Sequence, residues 1–277
     1  MAKKALCIGI NNYPGTDMDL QGCVNDATDW AGVLAERGFK VASLLDEQAT
    51  KAAMLKAMGE LIAKASKGDT LVITFSGHGT YQPDTDGDEV DGLDEALCPY
   101  DLQTNGEALT DDEIRNLFLT RKAGVRIVLI SDSCHSGTVT RAAKAEKDAD
   151  SRPRFMPMGN WLPDKLLPRN RAGKVATTMT GPAGTTPFFG AYSNKLGDLL
   201  LSGCKEGPNN FSYDARIKGR FNGAFTYYAL KALKSMKPGA NYADWHKAIA
   251  KYLPSASYPQ SPQIVGSATA RKGKIFE

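Results

Sequence analysis

A lone cysteine and a lone histidine each follow an apolar run of the sequence. Cys134 lies in "SDSCHSG" directly after "VRIVLI", and His78 lies in "FSGHG" directly after "TLVITF". A free thiol is only a few per cent ionised at neutral pH, so a neighbouring imidazole helps to form the nucleophile and can later protonate a leaving amine. The backbone amides of Gly79 and Cys134 could hold a developing oxyanion. The pattern predicts an acyl-transfer site with Cys134 as nucleophile and His78 as base and acid; a third catalytic residue is not evident.

Other interpretations of these residues remain open at this point. A cysteine at a strand end can simply be a small buried hydrophobe. His135 is adjacent to Cys134, and neighbouring side chains diverge, while His246 belongs to an amphipathic helix and is expected to be a surface or packing residue. A cysteine phosphatase needs C-x5-R, but "CHSGTVTR" gives C-x6-R and leaves "FSGHG" without a role.

The elements that would position these residues alternate between apolar strands and amphipathic helices. The near-continuous apolar runs predict strands of a parallel sheet buried on both faces, over 5–10, 40–45, 70–75, 125–130 and 197–203. Helical spacing predicts helices over 23–38, 50–65, 110–119, 223–236 and 241–252. Such alternation indicates an α/β fold with right-handed crossovers. Ligands bind such sheets outside the carboxyl ends of the strands, where both polar motifs are expected.

One long segment breaks this alternation. Residues 138–194 have no sustained periodicity, and nine Lys or Arg residues lie between 141 and 174. A structureless stretch of this length is uncommon inside a compact domain and is usually functional or disordered. We interpret it as an insertion in a single domain, 1–277, with the residues before and after it sharing one sheet.

Composition excludes several classes of protein. A net charge of +3 without an aromatic-interleaved basic patch does not favour nucleic-acid binding. The apolar run at the start is too short for a signal sequence, and no run approaches the roughly 20 apolar residues of a membrane span. The five cysteines are an odd number without a C-x-x-C pair, which argues against disulfides or zinc and for a reducing compartment. The sequence therefore predicts a cytoplasmic protein that does not act at membranes.

The paired motifs resemble those of the metacaspases and their bacterial relatives, the orthocaspases, in the caspase clan of cysteine peptidases. Further segments resemble the family in the same order: "IGINNYPGTDMDLQGCVNDA", "GDEVDGLDEALCPYD", "LTDDEI", "LLLSGC", "GAFTYYAL" and "SPQIVG". The resemblance implies a three-layer caspase-like sandwich with a central, mainly parallel sheet flanked by helices. It divides the chain into a large catalytic portion of about 1–137, a basic loop over 138–194 where members of the family cut themselves, and a small portion of 195–277.

The resemblance also implies an acidic pocket for the residue before the cleaved bond, called P1. Asp26 and Asp132 match the acidic pocket positions, and Cys23 and Ser76 match the remaining ones. Two carboxylates would pair with arginine or lysine and reject aspartate by like-charge repulsion. On sequence alone, Asp26 could equally be an exposed acid in the first turn of a helix. We expect peptide or protein substrates with Arg or Lys at P1.

A calcium site is a further implication of the resemblance. The stretch "DTDGDEVDGLDE" does not fit an EF-hand, since Glu89 stands where glycine is required. Calcium-activated metacaspases bind the ion through aspartates that match Asp94, Asp111 and Asp112, but a fourth ligand position falls at or near Arg141. No cofactor is expected for the chemistry itself, and a calcium requirement stays open.

A non-catalytic caspase-like scaffold is the alternative from a different class. Degenerate members of the family typically lose the cysteine or the histidine, whereas both are present here with both pocket aspartates. The resemblance also favours a monomer, since metacaspase-like proteins are usually monomeric.

Overall fold

The computed structural model describes residues 1–83, 93–134, 150–167, 198–205 and 210–277. Its central sheet has six strands in the order β12-β9-β7-β3-β1-β2, of which only β12 is antiparallel to its neighbour. These strands are β1 (Lys3–Gly9), β2 (Lys40–Leu45), β3 (Thr70–Ser76), β7 (Arg126–Asp132), β9 (Leu199–Ser202) and β12 (Gln263–Gly266). The five strands predicted from apolar runs are all present, and the two halves of the chain share this sheet.

Helices cover both faces of the central sheet. They are α1 (Cys23–Glu36), α2 (Lys51–Ala63), α3 (Leu102–Asn105), α4 (Asp111–Leu119), α5 (Ala224–Lys234), α6 (Tyr242–Ile249) and α7 (Ala268–Lys272). On β1, Leu6 and Ile8 join the apolar cluster that includes α2 and α4, while Ala5 and Cys7 join the cluster that includes α1, α5 and α6. The alternation of strand side chains thus fills two apolar layers, and the predicted three-layer α/β architecture is confirmed.

Local signals in the sequence account for several helix ends. Thr110 and Glu113 form a capping box, in which the Glu113 amide donates to Thr110 Oγ1 (3.2 Å) and the Thr110 amide donates to Glu113 Oε2 (3.0 Å). After α1, Gly38 adopts a φ of +80°, the left-handed conformation that glycine accepts most readily. His246 lies in α6 with its Nε2 3.0 Å from the Pro262 carbonyl oxygen, in the packing role expected.

Two small antiparallel sheets were not foreseen from the sequence. One contains β4 (Gly79–Pro83), β5 (Leu93–Leu97) and β6 (Leu109–Thr110); the other contains β8 (Ser151–Pro153), β10 (Tyr213–Ile217) and β11 (Arg220–Gly223). Strand β8 and two short 3-10 helices, Met158–Asn160 and Asp164–Leu166, lie inside the segment that we expected to be structureless. That expectation was wrong for residues 150–167, because this part of the segment is bound by the rest of the domain.

Candidate active site

The ends of two neighbouring strands bring the predicted catalytic motifs together. Strands β3 and β7 pair in register up to Ser76 and Asp132, and each leads within two residues to His78 or Cys134. The Gly79 amide and the Cys134 amide both donate to a single acceptor, the carbonyl oxygen of Arg154, at 3.1 Å each. The two amides predicted to hold an oxyanion therefore converge on one peptide carbonyl.

The chain is extended on both sides of this carbonyl, within residues 150–167, which are here called the cleft segment. Before it, β8 pairs antiparallel with β10, and the Arg154 amide donates to the Ser212 carbonyl oxygen at 2.8 Å. After it, Phe155 forms a parallel bridge with Gly79, and the Met156 amide donates to the Gly79 carbonyl oxygen at 2.8 Å. A stretch of this chain thus binds the site through main-chain hydrogen bonds, as an extended peptide adds to a sheet edge.

The Arg154 side chain lies in an acidic pocket and is fully buried. Its Nη2 is 2.7 Å from Asp26 Oδ2 and 3.0 Å from Asp214 Oδ1. Its Nη1 is 3.3 Å from Asp132 Oδ2 and donates to the Asp132 carbonyl oxygen at 3.1 Å. Asp26 and Asp132, both predicted from the sequence, are therefore brought together around one guanidinium, and Asp214 joins them.

The start of α5 holds two of these carboxylates. The Gly223 amide donates to Asp26 (3.0 Å), and the Thr226 amide donates to Asp132 Oδ2 (2.8 Å). Free amides at a helix N-terminus favour negative charge. Gly223 also leaves room for the pocket, because a Cβ there would approach Arg154 Nη1 to 2.5 Å and Asp132 Oδ2 more closely still.

The buried carboxyl of Asp26 has a shifted pKa. Burial raises the pKa of Asp26 to about 7, and the Arg154 guanidinium and the Asn222 side chain oppose that rise. The Asn222 amide nitrogen donates to Asp26 Oδ1 at 2.9 Å. Asp26 is thus a structural part of the pocket, and not the exposed first-turn acid that its position in α1 also allowed.

The other two predicted pocket residues have different surroundings. Cys23 is buried, and electrostatic interaction links it to Arg154 and to all three acids; burial raises the pKa of its thiol well above the ordinary value. Ser76 is buried beside Asp132 in the sheet register, and no polar contact joins it to Arg154 among the residues that the structure describes.

His78 is held by backbone and aromatic contacts. Its Nε2 is 2.6 Å from the Met18 carbonyl oxygen, its amide donates to the Tyr13 hydroxyl at 2.8 Å, and the Tyr13 ring lies 4.9 Å from its own. Burial lowers the pKa of His78 to about 4, although the carbonyl groups of Met18 and Arg154 act to raise it. Its buried Nδ1 has no hydrogen-bond partner within the described parts of the chain. A neutral imidazole held through Nε2 leaves Nδ1 able to exchange a proton.

The Cys134 thiol lies beside a second cysteine. Its Sγ donates to the Asn210 carbonyl oxygen at 3.1 Å. Cys204 donates to the Ser133 carbonyl oxygen at 3.5 Å, and the pKa of Cys204 is raised by its hydrogen bond with Cys134 and by burial. His135 lies outside the described residues.

The predicted calcium ligands lie on two elements, β5 and α4. Asp94 is buried in β5, while Asp111 and Asp112 are in the first turn of α4, where Asp112 pairs with Arg115 at 3.0 Å. Within the described residues, no group of three or more His, Cys, Asp or Glu side chains could hold a metal ion. Arg141 and most of the acidic stretch, 84–92, lie outside those residues.

Sequence reasoning missed Arg154, Asp214 and the Met18 carbonyl. Arg154 is one of nine basic residues in the expected loop, and nothing in its local pattern distinguishes it. Asp214 lies on a short strand whose alternation was not recognised. The role of a backbone carbonyl at Met18 leaves no signal in residue types at all.

Comparisons with known proteins agree with the fold. The crystal structure of protein GSU0716 from Geobacter sulfurreducens superimposes with a TM-score of 0.72 at 32% sequence identity, covering all of this chain and 98% of the other. Caspase-1 from Spodoptera frugiperda gives a TM-score of 0.52 at 14% identity over 95% of this chain and 86% of its own. The second likeness shows the fold alone: the architecture is caspase-like.

The family follows from sequence. Residues 3–143 match the family described as "Metacaspase, peptidase C14 domain". The chain is 43% identical to Metacaspase-1B of Neosartorya fischeri, over 95% of this chain and 68% of the relative. It is 31% identical to Metacaspase-1B of Aspergillus oryzae, over 95% and 67%, and 33% identical to Metacaspase-1A of Neurospora crassa, over 96% and 63%. The chain belongs to the metacaspase family of cysteine peptidases, and it spans about two thirds of the length of these relatives.

Among the described residues, no helix is long and apolar enough to cross a membrane.

Proposed function

We propose that this chain is a cysteine endopeptidase that cleaves peptide bonds after arginine and, less efficiently, after lysine. One observation carries the proposal. Arg154 occupies the site as a substrate would, with its guanidinium on three carboxylates and its carbonyl oxygen on the amides of Gly79 and Cys134. Pre-oriented amides of this kind stabilise the oxyanion of an acyl-transfer intermediate.

The chemistry follows the positions of these groups. The Cys134 thiol leaves the Asn210 carbonyl, passes its proton to His78 Nδ1, and its sulfur attacks the carbonyl carbon of the P1 residue. The tetrahedral oxyanion takes the hydrogen bonds that the carbonyl oxygen already accepts. His78 then gives the proton to the amine of the following residue as the C–N bond breaks, which leaves a thioester on Cys134. Water hydrolyses the thioester to a carboxylic acid and restores the thiol.

The pocket favours arginine over lysine and rejects aspartate. The two terminal nitrogens of the guanidinium contact different carboxylates, which a single ammonium group cannot do in the same way. An aspartate would bring a fourth carboxylate to Asp26, Asp132 and Asp214 without a cation. The support for this specificity is the arginine that the pocket already holds.

The peptide bond between Arg154 and Phe155 is the self-processing site that this arrangement favours. It lies within the basic segment for which self-cleavage was expected, and it is the bond that follows the carbonyl bound by both amides. Cleavage there would give fragments 1–154 and 155–277.

Fluorogenic peptides with Arg, Lys or Asp at P1 test the specificity. We expect Arg peptides to be cleaved fastest, Lys peptides about 10-fold or more slowly, and Asp peptides not detectably. All turnover should be lost in Cys134→Ala and in His78→Ala. Parallel assays with calcium and with chelator test whether calcium is required; unchanged rates in chelator would exclude a requirement. Comparable turnover of Asp peptides would contradict the acidic pocket.

Intact-mass measurement of the purified chain tests the self-processing site. We expect a cut after Arg154 in the wild type and none in Arg154→Gln or Cys134→Ala. Arg152→Gln is the matched control, since Arg152 is exposed two residues earlier and should leave the cut unchanged. An intact wild-type chain that also cleaves no peptide would favour the scaffold alternative.

A monomer remains the proposed state, with peptide or protein as the partner. Analytical ultracentrifugation of the active chain would test it.

A further inference from the structure

The residue after Arg154 lies in a built aromatic pocket. Phe155 is fully buried, its ring stacks on Tyr81 at a centroid distance of 5.6 Å and an interplanar angle of 25°, and Phe211 packs against it at 6.4 Å and 55°. Leu93, at the start of β5, belongs to the same apolar cluster. Tyr81, Leu93 and Phe211 come from β4, β5 and the residue before Ser212, outside the cleft segment, while Met158 and Leu167 of the same cluster belong to it.

The backbone on this side is held independently of the side chain at 155. The Met156 amide donates to the Gly79 carbonyl oxygen (2.8 Å), Thr80 Oγ1 donates to the Met156 carbonyl oxygen (2.7 Å), and Trp161 Nε1 donates to Thr80 Oγ1 (3.2 Å). These bonds fix the register of the peptide without reading its sequence. Selection at the position directly after the cleaved bond must then come from the pocket that Phe155 fills.

We propose that this enzyme also selects its substrates by the residue after the cleaved bond, called P1′, and that Tyr81 and Phe211 form a pocket specific for a large aromatic or apolar side chain there. The inference rests on the proposed peptidase function and adds a second requirement to it. The preferred site is then Arg followed by Phe or a similar residue, as in 154–155 of this chain. A charged P1′ side chain would exchange water for aromatic and apolar walls and is disfavoured.

Internally quenched peptides of the sequence SRPRFMPM, which is residues 151–158, test this specificity. The Phe is replaced by Tyr, Leu, Ala or Asp in otherwise identical peptides, and each is assayed with the wild type and with Arg154→Gln, whose own segment lacks the guanidinium. We expect kcat/KM to be about 10- to 100-fold higher for Phe than for Ala, as burial of one large apolar side chain predicts, with Asp lowest.

Enzyme variants identify the walls of the pocket. In Tyr81→Ala and Phe211→Ala the Phe-to-Ala ratio of kcat/KM should fall to about 3 or less. Tyr252→Ala is the matched control because it removes a stacked aromatic pair with Tyr228, 5.3 Å apart, on another part of the domain. It should keep the wild-type ratio. A purely structural role of Tyr81 and Phe211 would change stability without changing this ratio.

The outcomes separate this inference from the proposed function. Cleavage of all Arg peptides at similar rates, whatever residue stands at P1′, would overturn the aromatic pocket and leave the peptidase intact. A preference for Ala or Asp would overturn it as well. Cleavage of none of the peptides would overturn the peptidase and the pocket together. The Phe-to-Ala ratio of kcat/KM in the wild type tests the aromatic pocket even if a wall variant does not fold.

Discussion

At the scale of single residues, the charge balance around Arg154 is the central feature. One buried guanidinium faces three carboxylates, and each carboxylate accepts hydrogen bonds from backbone amides. The donors are Gly223 to Asp26, Thr226 to Asp132, and Gln21 and Gly22 to Asp214. Burying charges is costly unless each one is paired and hydrogen-bonded. The amides allow the acids to stay in place, so the pocket is built to receive a cation.

Asp214→Asn tests the acid that sequence reasoning missed. Removal of one charged partner of a buried ion pair costs about 2–5 kcal/mol, so kcat/KM for Arg peptides should fall by at least about 30-fold. Asparagine keeps an oxygen that can accept a hydrogen bond from a backbone amide, which limits the loss of stability. Exposed Asp244, changed to Asn, is the control. Activity within about twofold of the wild type in Asp214→Asn would show that Asp26 and Asp132 suffice.

At the scale of elements, the pocket is assembled from both sides of the proposed cleavage site. Asp26 comes from α1 and Asp132 from β7, while Asp214 comes from β10. The amides that donate to Asp26 and Asp132 come from the start of α5. The central sheet also combines strands from before and after Arg154, since β7 pairs with β9 over Val128 to Ser131. Strand β12 adds to the far side of β9. Cleavage after Arg154 would therefore cut the chain without separating the sheet.

We expect fragments 1–154 and 155–277 to remain together after self-cleavage. The buried interface between β7 and β9, with α5 and α6 packed on the same apolar layer as α1, would hold them. Size-exclusion chromatography in native buffer should give one peak at the mass of the whole chain, and a denaturing gel of that peak should give two bands. Separation of the fragments in native buffer, with loss of activity, would contradict this.

The elements also show where sequence reasoning works and where it stops. The central strands could be predicted because they are buried on both faces and read as continuous apolar runs, and the motifs at their ends could be placed by sheet topology. Strands β4, β8 and β10 could not, because they are short and their stability comes from pairing with distant segments. The position of Arg154 depends on the same long-range pairing, which is why a basic loop was predicted where a bound segment lies.

At the scale of the whole molecule, the proposed function makes substrate and enzyme parts of one chain. A tethered ligand acts at an effective concentration that reaches the millimolar range for short flexible connections. Self-cleavage is therefore favoured within one molecule over cleavage between molecules.

We expect the half-time of self-cleavage to be independent of protein concentration over a 100-fold dilution, followed by gel densitometry. Inactive Cys134→Ala chain mixed with active enzyme should be cut far more slowly than the wild type cuts itself, because its own cleft segment remains bound. A half-time that lengthens in proportion to dilution would indicate cutting between molecules and contradict this expectation.

The Asp26 carboxyl also couples the release of Arg154 to protons. With the guanidinium in place the pKa of Asp26 is about 7, and the guanidinium lowers it while Asp132 raises it. If the pocket stays closed to water after Arg154 leaves, the burial that raises the pKa of Asp26 remains and the opposing guanidinium is gone, so that pKa rises and the pocket takes up a proton. The state that binds more protons is favoured by acid. Acidification therefore favours a vacated cleft that stays closed to water, and a proton replaces the cation that has left.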